Sequence, residues 1–302
     1  MTSKQSQVVG FVGLGAMGMG MARTLVKAGF RVQGYDINPT SIRTFVEAGG
    51  KGVTSVAEAA EEADILVIIV INAEQAEEVL FDAGAAESLP PGSVVILSST
   101  VKPAFARKTA SRLYAIGREM IDAPVSGGVV KAAEGSLTIM ASGHPVAFEK
   151  ANPVLTTIAA QVYRLGDECG QGSTVKMVNQ LLAGVHIAAA AEAMAFGVKA
   201  GIDSQVLYKV ISNSAGSSWM FQNRVPHMLE GEYTPLSAVE IFVKDLGIVL
   251  ETGKEIRFPL PLSAIAHQLF LTAAAAGLGQ EDDAAVVKVF EQLAHISVSK
   301  KQ

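Results

Sequence analysis

The chain has one cysteine, Cys169, in 302 residues. No intramolecular disulfide can form, so packing must hold the fold, as suits a reducing compartment. No convincing histidine partner lies near it in sequence, and the thiol reads as buried and inert rather than nucleophilic. Charge is scarce too. Charged residues make up 18% of the chain, below the usual quarter. The net charge is −5, and no basic cluster stands against it. That balance excludes a nucleic-acid surface of the usual electrostatic kind. The histidines show no metal-ligand spacing, so no metal is expected, and neither a G-x-S-x-G elbow nor a Walker loop occurs.

Long uninterrupted apolar runs are also missing. The run 65–71 is far too short for a membrane span, and 181–198 is broken by His186 and Glu192. The apolar stretch near the N-terminus is glycine-rich and follows a single lysine, Lys4, which does not make a signal segment. The expectation is a soluble, cytoplasmic protein with no membrane partner.

What the chain does have is apolar side chains, at 49%. A soluble chain this apolar needs large buried surfaces, some between subunits, and its length allows two domains. The first half alternates. "VVGFVGLG", "FRVQGYD", "DILVIIVI" and "GSVVILSST" read as strands, and "AMGMGMARTLVKAG", "PTSIRTFVEAGG" and "PAFARKTASRLYAIG" as helices between and after them. Unbroken apolar strands of this kind are buried on both faces of a parallel sheet. The pattern predicts a Rossmann-type, doubly wound α/β sheet over residues 1–167, with its ligand outside the carboxyl ends of the strands. From 168 to 302 the signals are helical, beginning with a long helix that starts "STVKMVNQ" and ends at Gly201. The expected architecture is therefore a dinucleotide-binding domain, a long interdomain helix and an all-helical domain.

Gly13, Gly15 and Gly18 spell G-x-G-x-x-G between a predicted strand and a predicted helix. The first glycine permits the turn, the second lets a pyrophosphate approach, and the third lets helix and strand pack. The cofactor-binding candidates are thus Gly13, Leu14, Gly15, Ala16, Met17 and Gly18. Asp36 ends the second strand, 18 residues after Gly18, where a ribose diol acceptor belongs. A carboxylate there repels a 2′-phosphate, which favours NAD over NADP. Ser98, Ser99 and Thr100 end a strand on the same sheet edge. They either meet the cofactor or cap the helix after Pro103.

"DAPVSGG" follows another short strand. Its Ser126, Gly127 and Gly128 suit a carboxylate or phosphate, or form a plain loop. Lys176, in "GQGSTVKMVNQ", raises a different question. If Ser173 caps the helix, the ammonium sits at the third helical position, where the macrodipole disfavours it. Desolvation and dipole together would lower its pKa toward a proton-exchanging range. Asn179 and Gln180 follow on the same helix face, placed to orient the lysine or hold a substrate. Lys244 and Asp245 form a further polar island, either facing a ligand or making a local ion pair.

Together these stretches resemble the β-hydroxyacid dehydrogenase family, the 3-hydroxyisobutyrate dehydrogenase-like enzymes, over essentially the whole chain. "GFVGLGAMGMGMARTL" is similar to the family's cofactor signature, "DAPVSGGVVKAAEGSLTIMASG" to its substrate signature, "GQGSTVKMVNQ" to its catalytic-lysine segment, and "FVKDLG" to its C-terminal lysine segment. The resemblance implies NAD as cofactor, a small hydroxy acid as substrate and a homodimer or homotetramer. It implies Lys176 as general acid/base, Ser126, Gly127 and Gly128 on the substrate carboxylate with Asn179 assisting, and Thr100 and Lys244 against NAD. Many relatives carry two asparagines where this chain has Asn179 and Gln180, and the longer amide reshapes the pocket. "NQLLAGVHIAAAAEAMA", "SAGSSWMFQNRVPHM" and "SAVEIFVKDLG" resemble most the branch that oxidises L-threonate at C2 to 2-oxo-tetronate, and that resemblance implies Asn213, Ser217, Trp219 and Gln222 as further polar contacts. A 3-hydroxyisobutyrate dehydrogenase or a reductase of small aldehydes or keto acids such as tartronate or succinic semialdehyde, and a non-catalytic dinucleotide-binding module, are the alternative expectations.

Overall fold

A computed structural model describes residues 7–299. The chain packs as two units, one reaching to Lys176 and one starting at Met177. Among the described residues, the first unit holds nine strands: β1 Val8–Val12, β2 Arg31–Tyr35, β3 Lys51–Gly52, β4 Ile65–Ile68, β5 Val94–Leu97, β6 Glu119–Asp122, β7 Val125–Ser126, β8 Leu137–Gly143 and β9 Ala159–Arg164. Their order is β3-β2-β1-β4-β5-β6-β8-β7, with β9 paired to β8.

β1 lies between β2 and β4, parallel to both, so the chain order reverses beside it. Such a switch point opens a crevice at the carboxyl ends of the strands. Every residue of β1, β4 and β5 is buried, as parallel strands covered by helices on both faces require. One apolar core, with Phe11, Met21, Leu25 and Phe148, covers one face. Another, with Ile68, Leu80 and Leu113, covers the other. Helix starts follow local chemistry. Asn38 caps Pro39–Glu47 by accepting from the Thr40 amide, and Ser55 caps Val56–Ala60 by accepting from that of Glu58.

Past β6 the sheet turns mixed. β8 runs antiparallel to β6 and β7, and β9 runs parallel to β8. These last elements escape the sequence pattern. β9 is mostly exposed, and the helix Pro145–Ile158 that leads to it carries Pro153 inside.

The second unit is built from helices around one core. The later part of the helix Gln171–Lys199 supplies Ile187, Ala191 and Met194, and the helices Trp219–Glu230, Val239–Glu255 and Pro261–Ala273 add Phe221, Phe242 and Phe270. The Phe242 and Phe270 rings stack at 5.1 Å. Gly184 lies so close to Phe242 and Leu246 that a Cβ there would come to 3.0 Å. By length and composition, Gln171–Lys199 and Pro261–Leu278 are each apolar enough to cross a membrane, yet the first is a core helix of this unit.

Candidate active site

The glycine turn is built by contact. Gly13 has φ +96°, and a Cβ on it would meet the Ile69 carbonyl oxygen at 2.2 Å. A Cβ on Gly18 would meet the Gly13 carbonyl oxygen at 1.9 Å. These two glycines are therefore fixed by packing of β1, the turn and the helix Ala16–Lys27. Gly15 differs. It is exposed, and a Cβ there would meet nothing within 4 Å. It precedes a helix with no side-chain cap and no acidic residue in its first turn. Open space beside uncapped helix amides fits a pyrophosphate. The donor set around the turn therefore fits a nicotinamide dinucleotide.

Asp36 follows β2 and closes the turn from the side. Its Oδ2 accepts from the Leu14 amide at 2.6 Å and its Oδ1 from the Asn38 amide at 2.8 Å. The Leu14 amide is thus committed to Asp36, and its side chain lies in the core. Gly15, Ala16 and Met17 follow it at the helix start. At the end of β5, the Ser99 hydroxyl accepts from the Val70 amide at 2.8 Å, tying β5 to the loop after β4. The neighbouring Ser98 hydroxyl is buried with no hydrogen-bond partner. Thr100, next along, is partly exposed.

Ser126 ends β7, and Gly127 and Gly128 follow with φ of +138° and +74°. Consecutive positive φ values explain why both are glycine. The helix that follows, Gly128–Glu134, is held against the glycine-turn helix. A Cβ on Gly20 would meet the Ala133 amide nitrogen at 2.8 Å, and the Thr24 hydroxyl donates to the Ala132 carbonyl at 3.3 Å. Gly20 and Thr24, one turn apart, thus pack the two helices closely against each other around Ala132 and Ala133.

Lys176 is 7% exposed. A lysine is almost never this buried unless it is paired. Its helical position corrects the sequence expectation. The helix starts at Gln171, not after Ser173. Ser173 caps nothing. Its hydroxyl donates to Asp122 Oδ1 at 2.6 Å, and its amide donates to Asp122 Oδ2 at 2.8 Å. The Gly170 amide donates to the same oxygen at 2.9 Å. The helix start is thus capped by a carboxylate from the end of β6, and Lys176 lies in the second turn, where the dipole has faded. Burial rather than the dipole sets the lysine apart. Asp122 itself is fully buried, and desolvation pushes its carboxyl up against the pull of its donors.

Asn179 and Gln180 follow on the same helix. In the second unit, Gln180 Nε2 donates to Asp245 Oδ2 at 2.6 Å, and Asn179 Nδ2 donates to Gln180 Oε1 at 3.0 Å. Lys244 Nζ lies 2.7 Å from Asp245 Oδ1, an ionic contact rather than a directed hydrogen bond. So Lys244 makes the local ion pair, but in a buried setting, with Asp245 2% exposed. The polar groups near residue 213 are used locally. Asn213 donates to the Lys209 carbonyl, Gln222 donates to the Ser212 carbonyl and the Ser217 hydroxyl, and Ser218 caps the helix carrying the exposed Trp219. Cys169 is buried against the Met120 and Ser142 carbonyls, and burial pushes its thiol up to about 11. Among the described residues no group of three or more His, Cys, Asp or Glu is placed to hold a metal ion.

A switch-point glycine turn, a carboxylate closing it and an all-helical second unit define a nicotinamide-dependent oxidoreductase. Known proteins narrow this. Residues 8–166 match the family model for the NAD binding domain of 6-phosphogluconate dehydrogenase, and residues 170–290 that for the NAD-binding region of NADP-dependent 3-hydroxyisobutyrate dehydrogenase. The L-threonate dehydrogenase of Cupriavidus necator is 55% identical over 94% of this chain and 96% of its own. That of Escherichia coli K12 is 53% identical over 93% and 94%. A crystal structure of 3-hydroxyisobutyrate dehydrogenase from Salmonella typhimurium superposes with a TM-score of 0.89 at 52% identity, covering 94% of this chain and all of that one. The chain belongs to the NAD-dependent β-hydroxyacid dehydrogenase family, the 3-hydroxyisobutyrate dehydrogenase-like enzymes.

Proposed function

We propose that this enzyme oxidises L-threonate at C2 to 2-oxo-tetronate, with NAD as acceptor and Lys176 as the general acid/base. The observation that carries the proton-transfer role is the depth of Lys176 in a helix whose start is clamped by a second buried group, Asp122. The identity of more than half to L-threonate dehydrogenases supports the substrate. Ser126 and the amides of Gly127 and Gly128 hold the substrate carboxylate, with Asn179 on its hydroxyls and Gln180 behind Asn179, ordering its amide. Gly13, Gly15, Ala16, Met17 and Gly18 cradle the pyrophosphate, with Leu14 holding Asp36 in place for the ribose. Thr100 and Lys244 complete the cofactor site.

Lys176 takes the C2 hydroxyl proton as the neutral amine, while the C2–H bond gives up hydride and the C2–O bond becomes a carbonyl. When bound, the nicotinamide supplies the hydride acceptor. In the reverse direction the Lys176 ammonium returns the proton. Residues 1–167 form the cofactor domain and 168–302 the substrate and oligomerisation domain. Ile256, Phe258, Leu262 and Ile265 expose apolar side chains on the second unit, which supports a homodimer or homotetramer; a single cysteine suits work in the cytoplasm.

The name of the Salmonella structure favours a second reading, oxidation of 3-hydroxyisobutyrate. A panel of aldonates and branched hydroxy acids, assayed with NAD and with NADP, separates the two. Turnover of L-threonate with NAD is the expected result. Turnover of 3-hydroxyisobutyrate alone would exclude the threonate assignment.

A further inference from the structure

The polar cluster of the second unit has a direction. Asp245, a carboxylate paired with the Lys244 ammonium, has no proton to give and can only accept. Gln180 must therefore turn its NH2 toward Asp245, as it does at 2.6 Å. That leaves the Gln180 carbonyl oxygen facing Asn179, which must turn its own NH2 inward, as it does at 3.0 Å. A side-chain amide is nearly symmetric in shape, so only its partners decide which end is oxygen and which is nitrogen. One buried carboxylate thus sets the polarity of two amides in series. The extra methylene of glutamine gives the reach. An asparagine at 180 would be one methylene shorter and would fall short of the helix Val239–Glu255 that carries Asp245.

We infer that Asp245, acting through Gln180, holds Asn179 with its carbonyl oxygen and one N–H turned away from Gln180, so that the enzyme selects hydroxy acids bearing a further hydroxyl beside the reacting carbon. A hydroxyl both donates and accepts, and it satisfies both halves of that amide edge. A hydrogen or methyl in its place leaves the oxygen and the N–H unmet, which costs far more than a lost methylene contact. Asp245 and Gln180 are positioning residues here, and Asn179 is the group that reads the substrate. This inference rests on the dehydrogenase function proposed above.

The test compares L-threonate with its 3-deoxy analogue, using NAD and the full-length enzyme, in wild type, Asp245→Asn and Gln180→Met. Asparagine at 245 can present either end of its amide, so the polarity of the relay is lost. Methionine at 180 keeps the length, removes the amide and leaves the Lys244–Asp245 pair intact, so it carries the test if Asp245→Asn does not fold. Wild type is expected to prefer L-threonate. Each variant is expected to lower kcat/KM for L-threonate by at least about tenfold, mainly through KM, while the analogue changes by less than about threefold. Equal losses on both substrates would mean a purely structural role and would overturn the inference, as would unchanged discrimination in Gln180→Met. A wild type that turns over both substrates equally overturns it too, with the dehydrogenase reading intact. A wild type that turns over 3-hydroxyisobutyrate but neither of these sinks the threonate reading and this inference together.

Discussion

Each unit of the molecule buries a carboxylate, and the two are satisfied in opposite ways. Asp122 in the first unit accepts from the backbone amides of Gly170 and Ser173 and from the Ser173 hydroxyl. Asp245 in the second accepts from the Gln180 side chain and pairs with the Lys244 side chain. Backbone donors cannot turn away, so Asp122 fixes where a helix begins. Side-chain donors can rotate, so Asp245 fixes which way amides point. The first unit presents turns shaped by glycine and main-chain groups, suited to a cofactor of constant form. The second offers side-chain amides, whose identity can be changed to suit a substrate.

The largest effect should come from Asp122→Ala. It strands three buried donors, at about 1–3 kcal/mol each, so denaturant unfolding should show a loss above about 3 kcal/mol. Asp245→Ala should cost less, because Lys244 and Gln180 can seek other partners. A larger loss at 245 than at 122 would break the contrast. Gly18→Ala should follow, because its methyl would lie 1.9 Å from the Gly13 carbonyl oxygen. A stability loss of about 1–3 kcal/mol is expected, along with loss of NAD binding by calorimetry. Asp36→Ala removes one charge and frees the Leu14 and Asn38 amides. NAD affinity should fall about tenfold, or about 1.4 kcal/mol, with NADP affected less. The smallest effect concerns Cys169. Its raised thiol should resist alkylation in the native enzyme at neutral pH and react only as pH approaches about 11. Rapid labelling at neutral pH would show that the first unit's core opens there.

Much of this was legible in the sequence, and the failures have causes. The central strands were readable because strands buried on both faces are continuous apolar runs, as in "DILVIIVI". β9 was missed because a mostly exposed strand carries no such run, and β8 because its buried stretch "LTIMASG" is diluted by threonine, serine and glycine. Gly13, Gly18 and Asp36 were placed by a spacing whose geometry is local. Lys176 was singled out for its supposed seat on the helix dipole, and that seat was wrong. Its helix starts earlier because the cap comes from Asp122, 51 residues before Ser173. The only hint was an aspartate closing an apolar strand and a later helix start that lacks a cap of its own. Likewise Asn179 and Gln180 were visible as a pair, whereas the Asp245 that orders them lies 65 residues past Gln180. Spacing along a helix shows which side chains share a face, not what a distant helix brings to meet them.

The most direct test is turnover and NAD affinity of Lys176→Ala, measured on one preparation with L-threonate. Removing a general base should lower kcat by about a hundred- to ten-thousandfold, while calorimetry finds NAD bound nearly as in the wild type. Near-normal kcat in that variant would contradict proton transfer by Lys176, whatever the depth at which its amine is buried.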